Sequence, residues 1–102
     1  MSSSKEFKDF ILDQLTNLNT ISCRPMMGEY LLYYNGILFG GIYDDRLLIK
    51  KTKSNKKFNL TEEMPYKNAK PMLLVEDFEN TENVYNLIKL TCLDLKNKKK
   101  VD

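Results

Sequence analysis

The sequence predicts an α+β fold, in which an antiparallel β-meander of four or five strands is flanked by an N-terminal and a C-terminal helix. Three observations predict it. β-forming residues are concentrated between residues 24 and 51, two-residue turn signals divide that stretch, and apolar residues recur at helical spacing near both chain ends. With 102 residues, the chain is expected to form one domain over its whole length, 1–102.

A capping-box pattern predicts where the first helix begins. Ser3 is followed three residues later by Glu6, and in this pattern the two side chains satisfy free amides of the first turn. Apolar residues then recur on one helical face: Phe7, Phe10, Ile11, Leu15 and Leu18. Asn17 and Asn19 are the expected stops, because asparagine tolerates the left-handed conformation that ends many helices.

Turn signals set the limits of the predicted strands. Asn35-Gly36 is a strong hairpin signal, because both residues accept positive φ, and Asp44-Asp45 marks a second turn. Strands are expected at 21–26, 30–34, 37–43 and 46–51, with a last, buried strand at 72–75. Pro25 places the first of them at an edge of the sheet.

The register of the first hairpin predicts a sheet that is apolar on both faces. A two-residue turn pairs Tyr34 with Ile37, Tyr33 with Leu38 and Leu32 with Phe39. One face is predicted to carry Leu32, Tyr34, Ile37, Phe39 and Leu48, and the other Leu31, Tyr33, Leu38, Ile42, Leu47 and Ile49. Two helices can cover only one face, so we expect another surface, in a homodimer, to cover part of the second.

Gly40-Gly41 interrupts the third predicted strand. Glycine inside a strand favours a bulge, and close approach of another backbone is the alternative. A bulge would place every residue that follows it on the opposite face of the sheet.

The last third of the chain predicts a short helix and a long one. Ser54 is expected to cap the short helix, which carries Phe58 toward the core. Asn80 or Thr81 is expected to cap the final helix. The apolar stripe of that helix consists of Val84, Leu87, Ile88, Thr91 and Leu95.

The densest basic cluster is a candidate nucleic-acid contact. It consists of Lys50, Lys51, Lys53, Lys56 and Lys57, to which Tyr66, Lys67 and Lys70 could add. The net charge of +2 is small for a dedicated nucleic-acid binder. No aromatic residue lies among residues 50–57 to stack a base, so a solvated lysine surface is the competing interpretation.

Residues suited to catalysis are scarce. The chain has no histidine, and neither Cys23 nor Cys92 has an obvious metal or catalytic partner, which favours inert thiols and a cytoplasmic location. A disulfide between the two cysteines is the alternative. We therefore predict no catalytic residue, metal or cofactor. The least favoured alternative is a small enzyme or ligand binder that uses Arg24, Tyr30 or Asp45 in a cleft.

A set of residues along the meander resembles the N-terminal domain of the TfoX/Sxy family. The resemblance rests on Arg24-Pro-Met-Met-Gly, on Tyr33-Tyr-Asn-Gly-Ile-Leu-Phe39, on Ile42 and on Asp45-Arg-Leu-Leu-Ile-Lys50. The match extends from the helix start near Ser4 to the end of the last helix, so it covers nearly the whole chain. The positions shared with the family are Arg24, Met26, Gly28, Tyr33, Gly36, Phe39 and Leu47. Met27 stands where phenylalanine is usual, Glu29 where glycine is usual, and Leu48 where tyrosine is common.

The resemblance implies a sheet and helices packed as in secretion-chaperone-like domains, which commonly pair into dimers. It also implies association with regulators of natural DNA-uptake competence, which act as transcriptional coactivators and carry a further C-terminal domain. The chain is therefore expected to be a stand-alone N-terminal domain that works as a non-catalytic, regulatory protein-association module, with an unknown protein partner such as the transcription machinery.

Overall fold

The computed structural model describes residues 3–101 and confirms the α+β architecture. Helices α1 and α2 span Lys5–Gln14 and Thr81–Val101, and a short 3-10 helix spans Ser54–Phe58. The strands are β1 (Ile21–Met26), β2 (Glu29–Tyr34), β3 (Ile37–Tyr43), β4 (Arg46–Ile49), β5 (Glu62–Glu63) and β6 (Met72–Val75). They form one sheet in the order β1-β2-β3-β4-β6-β5, and every neighbouring pair is antiparallel.

Three two-residue turns with positive φ connect the first four strands. Positive φ at both central residues gives a hairpin turn whose twist matches that of the strands. The turns are Met27-Gly28 (φ 51° and 84°), Asn35-Gly36 (51° and 78°) and Asp44-Asp45 (53° and 56°). The predicted meander is therefore confirmed, and β1 is an edge strand as Pro25 indicated.

The bulge in β3 lies one residue earlier than predicted. The first two pairs of the predicted register are confirmed, but Leu32 pairs with Gly40 and not with Phe39. Phe39 is the extra residue, and its side chain is fully buried in the core. The prediction of this third pair was wrong because a two-residue turn fixes register only as far as the first irregularity.

The bulge also changes the face assignment beyond it. Leu48 lies on the second face of the sheet, where it packs with Tyr43, whereas the prediction placed it on the first. Ile42, Leu47 and Ile49 lie on the first face, in the core beneath the helices. Each of these residues lies on the face opposite to the predicted one, because the bulge shifts the register by one residue.

The core lies between the first face of the sheet and the two helices. Its buried members are Ile11, Leu15, Leu18, Leu32, Phe39, Ile42, Leu47, Ile49, Val75, Val84, Leu87, Ile88 and Cys92. Phe10, predicted to be in the helix stripe, is 44% exposed and packs edge-on against Phe78 with ring centroids 5.6 Å apart. The stripe of α2 is buried from Val84 to Thr91, as predicted.

Local capping differs from the prediction at the first helix. The α1 cap is Ser4, whose hydroxyl accepts a hydrogen bond from the Phe7 amide (3.1 Å). Ser3 is buried, where its hydroxyl donates to Glu29 Oε1 (2.8 Å) and accepts from the Asp45 amide (3.0 Å). That hydroxyl links two hairpin turns, so it is not free to cap the helix. The helix ends at Gln14, before the predicted stops.

Caps at the later helices were predicted in part. The Asn80 side chain accepts from the Asn83 amide (3.2 Å), so asparagine is the cap of α2. Ser54 does not cap the 3-10 helix but is its first residue, and its hydroxyl donates to Asp94 of α2. Asn59, at φ 54°, ends this helix in the left-handed conformation.

Candidate functional site

The face of the sheet opposite the helices divides into a covered half and an open half. In the covered half, Tyr43, Leu48 and Met72 are buried. The connection between β5 and β6 lies beside them, with Pro65 buried and the Tyr66 ring centroid 6.4 Å from that of Tyr43. The chain therefore covers part of its own second face.

Arg46 holds that connection against the sheet. Its Nη1 lies 2.6 Å from Glu63 Oε1, and its Nη2 donates to the carbonyls of Met64 (3.4 Å) and Pro65 (3.5 Å). Its Nε donates to the Tyr43 carbonyl (3.1 Å), which fixes the guanidinium on β3. Several donors held in one plane are a property of arginine that lysine lacks. One side chain thus joins β3, β5 and the segment that follows β5.

The open half consists of Arg24, Met26, Leu31 and Tyr33, with Leu38 at its border. Met26 is 39% exposed, Arg24 is exposed, and the three others are half-buried. The Arg24 guanidinium lies over the Tyr33 ring, 6.0 Å from its centroid. The predicted two-faced apolar sheet is therefore present, but only the half that includes the β1 edge lacks cover from described residues.

The family-motif residues form two groups: some maintain the fold, and the others lie on the open half. Gly28 and Gly36 occupy positive-φ turn positions, and Phe39 and Leu47 are buried in the core. The three remaining residues, Arg24, Met26 and Tyr33, all belong to the open half. A shared residue that neither fills the core nor makes a turn is a candidate for contact with a partner.

The predicted lysine cluster is divided by the fold. Lys51, Lys53 and Lys56 line a cleft against Asp94 and Leu95 of α2. Lys51 and Leu95 also line an adjoining cleft together with Lys50, Lys70 and Tyr66. We call this continuous surface the lysine groove. Lys57 lies outside it, beside Asn83 and Lys89 on another side of α2.

Asn55 fixes the backbone that carries these lysines. Its side chain is fully buried, and its amide nitrogen donates to the Lys50 carbonyl (2.9 Å) and to Thr91 Oγ1 (2.8 Å). Its side-chain oxygen accepts from the Thr52 amide (2.9 Å). Sequence reasoning missed this residue, because a buried asparagine and an exposed loop asparagine look alike before the contact with α2 is known.

Asp94 anchors the same segment at a second point. Its carboxylate accepts from the Ser54 amide and from the Ser54 hydroxyl, both at 2.8 Å. Partial desolvation raises the pKa of Asp94, but the hydrogen bonds from the Ser54 amide and hydroxyl and the charge of Lys53 together lower it below its ordinary value. The carboxylate therefore binds the loop in its ionised form.

This shift predicts an acid-dependent loss of stability. Because the folded-state pKa of Asp94 lies below the unfolded value, its contribution is fully present above the unfolded pKa and is lost as pH falls through the folded pKa. We expect the thermal midpoint of wild type to exceed that of Asp94→Asn at pH about 6, and the difference to shrink as pH falls below the unfolded-state pKa toward the lower folded-state pKa. Circular dichroism melts measure it. A difference that stays constant over this range would contradict the role of the charge.

The three residues of the alternative catalytic cleft do not converge. Arg24 lies on the second face, whereas Tyr30 lies on the helix-covered face, where the Lys8 ammonium is 5.5 Å from its ring centroid. Asp45 lies in a turn and accepts from the Ser4 amide (2.7 Å). As expected for a turn, both aspartates at 44–45 have positive φ.

Both cysteines are free thiols. Burial raises the pKa of Cys92 to about 11, so this thiol stays protonated at neutral pH. Desolvation also raises the pKa of Cys23, which lies half-buried in β1. Neither thiol has the lowered pKa of a nucleophile.

Among the described residues, neither helix combines the length and the apolar composition needed to cross a bilayer.

Comparison with known proteins confirms the family resemblance of the sequence. An uncharacterized 12.7 kDa protein encoded in the trpE 5′ region of Spirochaeta aurantia is 28% identical over 98 residues, a match that covers 93% of this chain and 85% of that protein. The family model described as the TfoX N-terminal domain matches residues 13–93, a range that contains the whole meander, β6 and most of α2. The chain therefore belongs to the TfoX N-terminal domain family.

Proposed function

We propose that this protein is a non-catalytic regulatory module that acts by protein association, and that it forms a homodimer through the open half of the sheet. The observation that carries the proposal is the position of three family-motif residues, the exposed Arg24 and Met26 and the half-buried Tyr33, on a half-face that the described part of the chain leaves uncovered. These residues do not maintain the core or a turn. Association is the remaining use that fits an apolar surface with a charged rim.

A second copy of the chain is the partner that we propose first. In a two-fold interface the same patch lies on both subunits, so a patch with an apolar centre can cover itself. Arg24 lies at the exposed edge strand, where a charged side chain can remain at the rim while Leu31 and Tyr33 are covered. Pairing into dimers is also what the family resemblance implies.

The size of the patch indicates a weak dimer. A standard stable interface buries about 800 Å² on each partner and uses about 20 residues or more. The open half has only five side chains, even with Leu38 counted. We therefore expect a concentration-dependent dimer with a dissociation constant in the micromolar range, and not an obligate one.

The regulated process is proposed from family membership. Regulation of DNA-uptake competence, through contact with the transcription machinery, is the role that the resemblance to TfoX/Sxy proteins implies. Unchanged transcript levels of DNA-uptake genes after deletion of the coding gene from the native cell would remove this part of the proposal. The association proposal would stand without it, because the open half supports it separately.

Substitution of Met26 tests the association. Met26→Glu places a charge in the open half at a side chain that is exposed in the monomer, so folding should be retained while the dimer dissociates. We expect the molar mass measured by light scattering, across a series from about 10 μM to about 1 mM, to rise toward the dimer for wild type only.

Leu93→Glu provides the matched control for this test. Leu93 is 54% exposed on α2, on the opposite side of the sheet, and should leave the wild-type concentration dependence unchanged. A wild-type chain that stays monomeric at every concentration would contradict the dimer. A dimer dissociated by Leu93→Glu but not by Met26→Glu would contradict the open half as its interface.

A further inference from the structure

We propose that the lysine groove binds single-stranded nucleic acid, with Tyr66 as a platform on which a base stacks. This inference does not depend on the open half or on dimerisation. The sequence placed lysines at residues 50–57 without an aromatic neighbour, and the fold supplies that neighbour from another loop.

The groove presents lysines that are suited to phosphate contact. Lys53 and Lys56 are exposed on one wall, and Lys50 and Lys70 line the adjoining cleft. Lys51 forms an ion pair with Glu62, in which Nζ lies 2.8 Å from Oε2. Among the described carboxylates, none forms an ion pair with another lysine of the groove. Four cations therefore remain to face a polyanion along one continuous surface, in which the one ionised carboxylate of the first cleft, Asp94, is already held by Ser54.

Tyr66 supplies the stacking surface. Its side chain is 63% exposed, although it lies in a groove that also contains buried apolar residues. Tyr43, which is buried, supports it from the side of the sheet with the two ring planes at 52°. An exposed aromatic ring beside cations is the combination with which proteins bind single strands without reading a sequence.

Two separate anchors hold the walls of the groove in place. The lysine wall is fixed to α2 by Asn55 and by the Ser54–Asp94 contacts. The tyrosine wall follows Met64 and Pro65, whose carbonyls accept from Arg46. The binding groups are thus positioned before a ligand arrives, which lowers the entropic cost of binding.

The composition of the groove favours a nucleic acid over an acidic peptide. Carboxylates are recognised best by the planar fork of arginine, and Arg46, the arginine near this groove, is already engaged by Glu63 and three carbonyls. Lysine provides point charges that suit phosphates spaced along a strand. Because the groove is concave and none of its described residues form a helix that projects outward, it does not fit the major groove of a duplex.

Fluorescence anisotropy with labelled 15-nucleotide oligo(dT) and oligo(U) tests the proposal. At low salt we expect saturable binding, and four phosphate contacts on a single strand predict a loss of affinity of about 50-fold between about 50 and 200 mM salt. Lys53→Glu/Lys56→Glu should weaken binding by about tenfold or more. Tyr66→Ala should weaken it by about tenfold, whereas Tyr66→Phe should restore binding because it keeps the ring.

Lys57→Glu/Lys89→Glu is the matched control. It changes the net charge by the same amount with exposed lysines that lie outside the groove. We expect its affinity to stay within about twofold of wild type at about 150 mM salt, where long-range effects are screened.

Four results would overturn the proposal. They are the absence of binding to either oligonucleotide at low salt, equal losses in the groove and control variants, equal competition by an unlabelled duplex of the same length, and equal competition by a 15-residue polyglutamate. The last of these would assign the groove to an acidic peptide. None of them bears on the light-scattering test of the open half.

Discussion

Replacing Gly40 with alanine is expected to lower the free energy of unfolding by about 3 kcal/mol or more. A Cβ built on Gly40 overlaps the Leu48 carbonyl oxygen and comes within 3.0 Å of Ile49 Cα. Both obstacles belong to the backbone of β4, so no side chain can rotate away to make room. The substitution must therefore separate β3 from β4 at the centre of the sheet.

The crowding at Gly40 lies directly beside the bulge at Phe39. Phe39 is the extra residue between the pairs Tyr33–Leu38 and Leu32–Gly40, and Gly40 also pairs with Ile49 of β4. The Phe39 carbonyl also accepts from the Lys50 amide (2.8 Å), which holds β4 close. The two interpretations of glycine in this strand, bulge and close backbone approach, are therefore both correct at this point of the fold.

Gly36→Ala is the matched control for this prediction. Gly36 has φ +78° and nothing within 4 Å of a built Cβ, so alanine there meets only the strain of the left-handed conformation, about 1 kcal/mol. Both substitutions restrict the unfolded chain equally, which removes that contribution from the comparison. Urea denaturation followed by circular dichroism measures both. A loss at Gly40 no larger than the loss at Gly36 would contradict the packing argument.

The parts of the fold that the sequence predicted are those set by neighbours in the chain. The turns at 35–36 and 44–45 are two-residue signals, and they determine two strand pairings, β2 with β3 and β3 with β4, without any distant contact. Strand β5 was missed because its two residues, Glu62 and Glu63, have no β-forming pattern. Pairing with β6 and long-range ion pairs to Lys51 and Arg46 hold them at the edge of the sheet.

The candidate sites were less predictable than the fold, because they depend on contacts between residues that are distant in the chain. The lysines were visible as a cluster to which Tyr66 and Lys70 could add. Only the path of the chain shows that these two line the groove and that Lys57 lies outside it. Likewise, the sequence indicated an apolar second face. It could not show that Arg46 fastens a loop over one half and leaves the other open.

Asn55→Ala is expected to lower the free energy of unfolding by about 3 kcal/mol. The side chain is fully buried, and its removal leaves the Lys50 carbonyl and the Thr52 amide without the partners that the structure gives them. It also removes the donor to Thr91 Oγ1, although the Thr91 hydroxyl keeps its bond to the Leu87 carbonyl (2.7 Å). Each buried polar group left unsatisfied costs about 1–3 kcal/mol, and a cavity adds to that cost.

Asn86→Ala is the control for the Asn55 prediction, because Asn86 is an exposed asparagine on α2 and its loss should change stability by less than about 0.5 kcal/mol.

Hydrogen exchange is a second measurement, and it distinguishes a local loss of stability from a uniform one. Because Asn55 joins the lysine segment to α2, exchange in Asn55→Ala should accelerate more at residues 50–58 than in the meander. If instead exchange rises equally across the sheet and the segment, Asn55 stabilises the core as a whole, and the lysine wall of the groove is held in place by Asp94 alone.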